Sequence, residues 1–250
     1  MYNTNSLNYD QNKVDIYDII AKFIVNCNNI HQNLLNYPNA YNLNEIADIA
    51  FRLYELLREN VEFNIFILNK TLNVEPWKNQ LLYRNTRFIL EAHIHLFNLH
   101  YYSNYIEFYK KDCHLKHNEN SIDEMLAYLK LDKNKLIINS SSYSYYRSSA
   151  KFEIAEKLAQ NASPTSDVKN KIAEYRKLFQ ECNNFSHPNI FTKLYDTRRL
   201  INKNIYILLV ALINLFYIIK KSCLNDEQSK EIDSQLNDLC TIYNNSLCNF

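Results

Sequence analysis

Apolar residues recur at intervals of three and four over most of this 250-residue chain, the spacing that turns one stripe of an α-helix towards a core. Ile16, Ile20, Phe23, Cys27, Ile30 and Leu34 alternate by four and three, which predicts an amphipathic helix with a bundle-like seam, stopped by Pro38. Asn42 followed by Glu45 has the form of a capping box and opens a second predicted helix, through Ile46, Ala50, Leu53 and Leu57 to Leu68. Pro76 suits the first turn of a third, where its missing amide costs nothing. From Trp77 to Lys111 the ladder Leu81, Phe88, Ala92, Leu96, Leu99, Tyr102, Ile106 and Tyr109 predicts one long central helix with a buried face.

The pattern weakens from Asp112 to Ser149, which reads as an insertion between core helices, with a short helix capped by Ser121 and Glu124 and running through Leu131. Helical spacing returns over Lys151 to Ala159 and again over Asp167 to Cys182, with a seam of Val168, Ile172, Tyr175, Phe179 and Cys182. Pro188 disfavours helical geometry at His187, so that helix should end just before it and leave His187 on a turn. Thr197 to Lys221 is the most apolar stretch, and Asp226 to Leu247 forms a last amphipathic helix. Short connections between long helices favour antiparallel neighbours, hence a single all-α domain built as an up-and-down bundle.

Composition removes several alternatives. The chain contains no glycine, whereas phosphate loops, dinucleotide-binding turns and the nucleophile elbow all need it where the backbone turns tightly. Two-residue hairpin turns favour glycine too, so a sheet-rich fold is disfavoured. A formal net charge of +1 provides no global attraction for nucleic acid, and any such contact must be local. The six cysteines form no paired framework and read as free thiols of a reducing compartment. Met1 to Asn12 is polar and asparagine-rich, without the pattern of a secretory leader, so a cytoplasmic location is expected. Ile205 to Ile219 is shorter than the ~20 apolar residues of a membrane span and Asn214 interrupts it, so it reads as a buried core helix, with no membrane contact. Cys113, His114 and His117 lack a second spaced pair, and His93 and His95 point to different helix faces, so neither a metal nor another cofactor is expected.

Candidate chemistry lies in two places. Arg87, Glu91 and His95, each four residues from the last, stack as a column beside the apolar ladder, with Arg84 one turn earlier. Taken alone they are an ion pair worth about 0.2 to 0.5 kcal/mol and a satisfied histidine. His187, on its turn among Asn183, Asn184 and Ser186, can titrate near neutral pH and act as a general acid or base if a carboxylate orients it; the plain alternative is a helix C-terminus whose carbonyls favour such residues. A pocket joining Arg87, Glu91, Asn183 and His187 is the expected site. The tyrosines Tyr101, Tyr102, Tyr105 and Tyr109, and Tyr143, Tyr145 and Tyr146, could stack bases, but their spacing also suits core and interface positions.

The Arg/Glu helix LLYRNTRFILEAHIHL, followed after an insertion by YRKLFQECNNFSHPNIF and then by an apolar helix, resembles the HEPN superfamily, over about residues 77–221. The resemblance implies a bundle of four or five helices, frequent homodimerisation, and a role in phage defence, toxin–antitoxin pairs or RNA processing. Nuclease members use an arginine, a small polar residue and a histidine to cleave RNA without metal. This chain carries Gln180, Glu181, Cys182 and Asn183 where such nucleases place an arginine, so Arg87 would have to supply that charge in space. Two functions follow: an RNA-binding or RNA-cleaving effector, or a non-catalytic helical subunit that assembles with a protein partner.

Overall fold

A computed structural model describes residues 45–70, 76–139, 144–162, 166–186, 197–222 and 226–247. The chain forms two compact units, Met1–Leu43 and Asn44–Phe250, and the described residues belong to the second. The helix expected over Ile16 to Leu34 lies outside them. Among the described residues the fold is all-α apart from one small hairpin. The helices are α1 (Glu45–Lys70), α2 (Pro76–Tyr101), α3 (Tyr105–Asp112), α4 (Glu119–Tyr128), α5 (Lys133–Leu136), α6 (Ala150–Ala162), α7 (Ser166–Ser186), α8 (Thr197–Ser222) and α9 (Asp226–Leu247); strands β1 (Ile137–Asn139) and β2 (Ser144–Tyr146) lie between α5 and α6.

Helix α2 is the centre, in contact with α1, α3, α6, α7 and α8. Every residue from Ala92 to Leu99 is buried, a helix enclosed all round rather than amphipathic. The ladder expected on it is therefore only part of its core surface: Leu82, Tyr83, Ile89 and Leu90 are also buried, while Phe88, placed on the ladder from spacing, is exposed. Two buried hydrogen bonds fix neighbours against it, Asn85 Nδ2 to Asn64 Oδ1 of α1 at 2.9 Å and Asn204 Nδ2 of α8 to Thr86 Oγ1 at 3.0 Å. Helix α8 has the length and hydropathy of a membrane-crossing helix, but 67% of its most apolar window is buried inside the bundle, against α1, α2 and α9.

The single helix expected from Trp77 to Lys111 is broken. The helical bond of Tyr102 N–H to the Asn98 carbonyl is followed by a turn, Tyr105 N–H to the Tyr102 carbonyl, before α3 begins. Ser103 and Asn104 supply the turn chemistry, and the break lets Tyr105 become fully buried rather than continue along the α2 axis. The cap expected at Ser121 is also displaced. Asn118 caps α4, accepting from the amides of Asn120 and Ser121, which frees Ser121 to lie inside the helix.

The stretch 112–149 packs onto α3 through Tyr146, whose ring lies 4.3 Å from that of Phe108. Glu119 collects Lys111 and Lys133 at 2.7 Å each. Lacking glycine, the chain closes α3 and α4 with other residues in the left-handed region: His114 at φ 57° and Lys130 at φ 54°. Each sits in a Schellman arrangement, with Leu115 N–H reaching the Lys110 carbonyl and Leu131 N–H the Leu126 carbonyl, and each carries the Cβ penalty of that conformation. Replacing exposed Lys130 by glycine is therefore expected to raise stability by about 1 kcal/mol, read as a higher urea midpoint at unchanged m-value; a lower midpoint would show that the lysine side chain outweighs the backbone cost.

Candidate functional site

The Arg87/Glu91/His95 column is present on α2, and the fold adds two groups to it. Arg87 Nε stands 3.6 Å from Glu91 Oε1. On the other side of Glu91 is the Lys151 ammonium from the first turn of α6, 3.4 Å from the same oxygen and 3.6 Å from Asp112 Oδ2 at the end of α3. His95 Nε2 is 3.7 Å from that Asp112 oxygen, and His95 Nδ1 lies 2.8 Å from the Tyr105 hydroxyl. Burial holds the Tyr105 phenol protonated, well above its ordinary range; the Asp112 carboxylate can only accept, so it favours the tautomer with the proton on Nε2, in which Nδ1 accepts from the Tyr105 hydroxyl.

The cluster runs from surface to interior: the Arg87 side chain is 35% exposed, Glu91 20% and Lys151 7%. Buried ammonium groups are costly unless paired, and Lys151 meets two carboxylates from two helices while its carbonyl accepts from Asn98 Nδ2 at 3.0 Å. Yet each ionic separation here is 3.4 to 3.7 Å, longer than the 2.7 to 2.9 Å of a charge-assisted hydrogen bond. Elsewhere Arg147 and Arg176 meet Glu153 at 2.9 and 3.2 Å. The interior charges are thus balanced by proximity without spending their donors, and Arg87 Nε is buried without a hydrogen bond.

Arg87 also faces the last turns of α7. Its guanidinium carbon lies 5.5 Å from the centre of the Phe179 ring. Burial, followed by the Glu181 charge, pushes the buried Cys182 thiol up to about 12, while Arg87 and Lys203 of α8 pull it back. Asn183, half-buried, follows directly. The structure therefore brings Arg87 to the α7 segment carrying Phe179 and Cys182, while Glu91 pairs with Arg87 and Lys151; α7 runs to Ser186. His187 lies outside the described residues. Arg176 is spoken for, forked onto Glu153 and Glu156 of α6. Cys113, Cys182 and Cys240 are free thiols, and among the described residues no group of three His, Cys, Asp or Glu side chains is placed to hold a metal ion.

Sequence reasoning missed Lys151 and Asp112. Lys151 had a signal: it falls in register with Ile154, Ala155 and Leu158, the buried stripe of α6, where a lysine is out of place unless paired. Asp112 had none, because its approach to Lys151 depends on the break before α3.

Three histidines of α2 are held neutral. Burial lowers His93 to about 3, His95 well below 6.5 with help from the Lys151 charge, and His100 to about 4 despite its hydrogen bond to Asn214. Below pH 6.5 the unfolded chain takes up protons that the native state refuses. Stability is thus full above pH 6.5 and falls as the pH drops towards 4, by up to about 1.4 kcal/mol per pH unit per histidine. Urea midpoints at pH 7.5 and 5.5 check this, and a flat profile would contradict it. Lys151→Met should cost about 3 kcal/mol, the lower end for a broken buried pair because Glu91 retains some solvent; thermal melts of the variant provide the measurement.

Comparison with known proteins finds no matching family profile, no similar curated protein and no similar solved structure.

Proposed function

We propose that this chain is a HEPN-like RNA-binding protein that cleaves RNA without metal, in a phage-defence or toxin–antitoxin setting in the cytoplasm, and that Arg87, Glu91, Asn183 and His187 form its site. The observation that supports this reading is the Arg87 guanidinium, partly exposed, held 3.6 Å from its carboxylate and 5.5 Å over the ring of Phe179, on the C-terminal half of α7, the helix that precedes His187. The guanidinium of a partly exposed arginine at that position can stabilise the charge that develops on a phosphorane. In such a reaction the ribose 2′-hydroxyl attacks the adjacent phosphorus, His187 takes the hydroxyl proton, and the 5′-oxygen leaves with a proton from solvent or from the same imidazole. Glu91 holds Arg87 in place, and Asn183 offers a hydrogen bond to a phosphate oxygen.

The test is cleavage of labelled RNA in the presence of EDTA. Arg87→Ala and His187→Ala should each lower the rate by about a hundredfold or more, with the circular-dichroism melt of His187→Ala unchanged; Arg87→Lys should recover only a small part, because an ammonium does not reproduce the guanidinium fork. Absence of cleavage by the unaltered protein would remove the nuclease.

One observation favours the second reading, a non-catalytic assembly subunit. Leu56 and Phe63, seven residues apart on α1, are 47% and 45% exposed, and paired apolar positions on one helix face suit a protein interface, including one between two copies of this chain. A monomer mass at micromolar concentration would remove the homodimer.

A further inference from the structure

At the far end of α2 from Arg87, four aromatic rings form a continuous run from core to surface. Phe97 is buried and lies 4.5 Å from Tyr101; Tyr101 is 4.5 Å from His100; and His100 is 4.8 Å from Tyr217 of α8, with the last two rings parallel to within 4°. The first two contacts are tilted by 35° and 42°, so the outermost pair alone is parallel. Tyr217, the outermost ring, is 37% exposed. His100 is locked in plane by its Nδ1 contact with Asn214 Oδ1 at 2.8 Å, and the Lys221 ammonium donates to the His100 carbonyl. The ring edges are thus bordered by a carboxamide, phenol hydroxyls and a cation, not by aliphatic side chains.

We propose that this ladder is a stacking platform for a nucleobase, with Tyr217 as the contacting ring and His100 as its support. A flat, partly exposed ring held rigidly from beneath extends most naturally by one more planar ring, and stacking of this kind tolerates any base. Burial keeps His100 uncharged down to about pH 4. The platform is separate from the Arg87 cluster: thirteen residues of helix place it about 20 Å along α2 and about 140° round it. It does not require the chain to be a nuclease.

The experiment is fluorescence anisotropy of a labelled short oligoadenylate with the full chain, with AMP as competitor. Tyr217→Ala, at an exposed position, should weaken binding about tenfold, and Tyr217→Phe should bind as the unaltered protein does. Competition by AMP at millimolar concentration assigns the platform to a free nucleotide, and its failure to compete assigns it to an unpaired base within a strand; either supports the platform. Binding that is unaffected by Tyr217→Ala, or no binding of either probe, overturns it. The Arg87→Ala variant separates the two sites: it should lose cleavage while keeping the Tyr217-dependent binding, and loss of binding in Arg87→Ala alone would leave the Arg87 site standing and the platform refuted.

Discussion

The bundle is arranged around the enclosure of α2, whose residues Ala92 to Leu99 are buried on all sides. A helix surrounded in this way cannot turn its polar residues to water, so each must find a partner on whichever neighbour it faces. Asn85 finds Asn64 on α1, Thr86 finds Asn204 on α8, His95 finds Tyr105 on α3, and Asn98 finds the Lys151 carbonyl on α6. Apolar packing alone would tolerate several rotations of α2. These contacts are specific to one, because a slip of a single residue would strand several polar groups in the interior at about 1 to 3 kcal/mol each. His93 is the exception: neither ring nitrogen has a hydrogen bond, and the ring meets Tyr175 of α7 edge-on at 5.1 Å. It is tolerated as a neutral, flat side chain and contributes mainly to acid sensitivity.

The same enclosure explains the charged cluster. Glu91 and Asp112 come from consecutive helices, and the break at Tyr102–Asn104 turns α3 back so that the two carboxylates face one another across Lys151. Two like charges at that range would repel; the ammonium between them makes the arrangement stable. Because the separations are ionic rather than hydrogen-bonded, Glu91 neutralises two cations at once and saturates neither. Arg87, at the solvent end, keeps its ion pair with Glu91 at 3.6 Å while its Nε makes no hydrogen bond. At the α2–α7 border the Arg87 guanidinium carbon lies 5.5 Å from the centre of the Phe179 ring, and its side chain stays 35% exposed.

Turn chemistry without glycine shapes the periphery. His114 and Lys130 accept the left-handed conformation that glycine would take without penalty, and the segment between them is secured by Asn118 and by the Lys111–Glu119–Lys133 ion pairs. Burial raises the pKa of Glu119, but the two lysines outweigh it and hold the carboxyl down at about 2.

The all-α class, most helix boundaries and the Arg87/Glu91 pairing were legible in the sequence, because helical periodicity and i,i+4 proximity are local properties that need no knowledge of neighbours. What only the tertiary structure decided is everything that depends on which surfaces meet. Phe88 sits on the apolar ladder by spacing yet faces solvent, since α2 is enclosed on its other sides. Lys151 stands out by its register with the buried stripe of α6, but which carboxylates it meets is decided only when α2 and α3 present theirs. Asp112 reaches it only through a break that the uninterrupted apolar ladder from Trp77 to Lys111 concealed, because burying Tyr105 against His95 is a gain in free energy that no local pattern records.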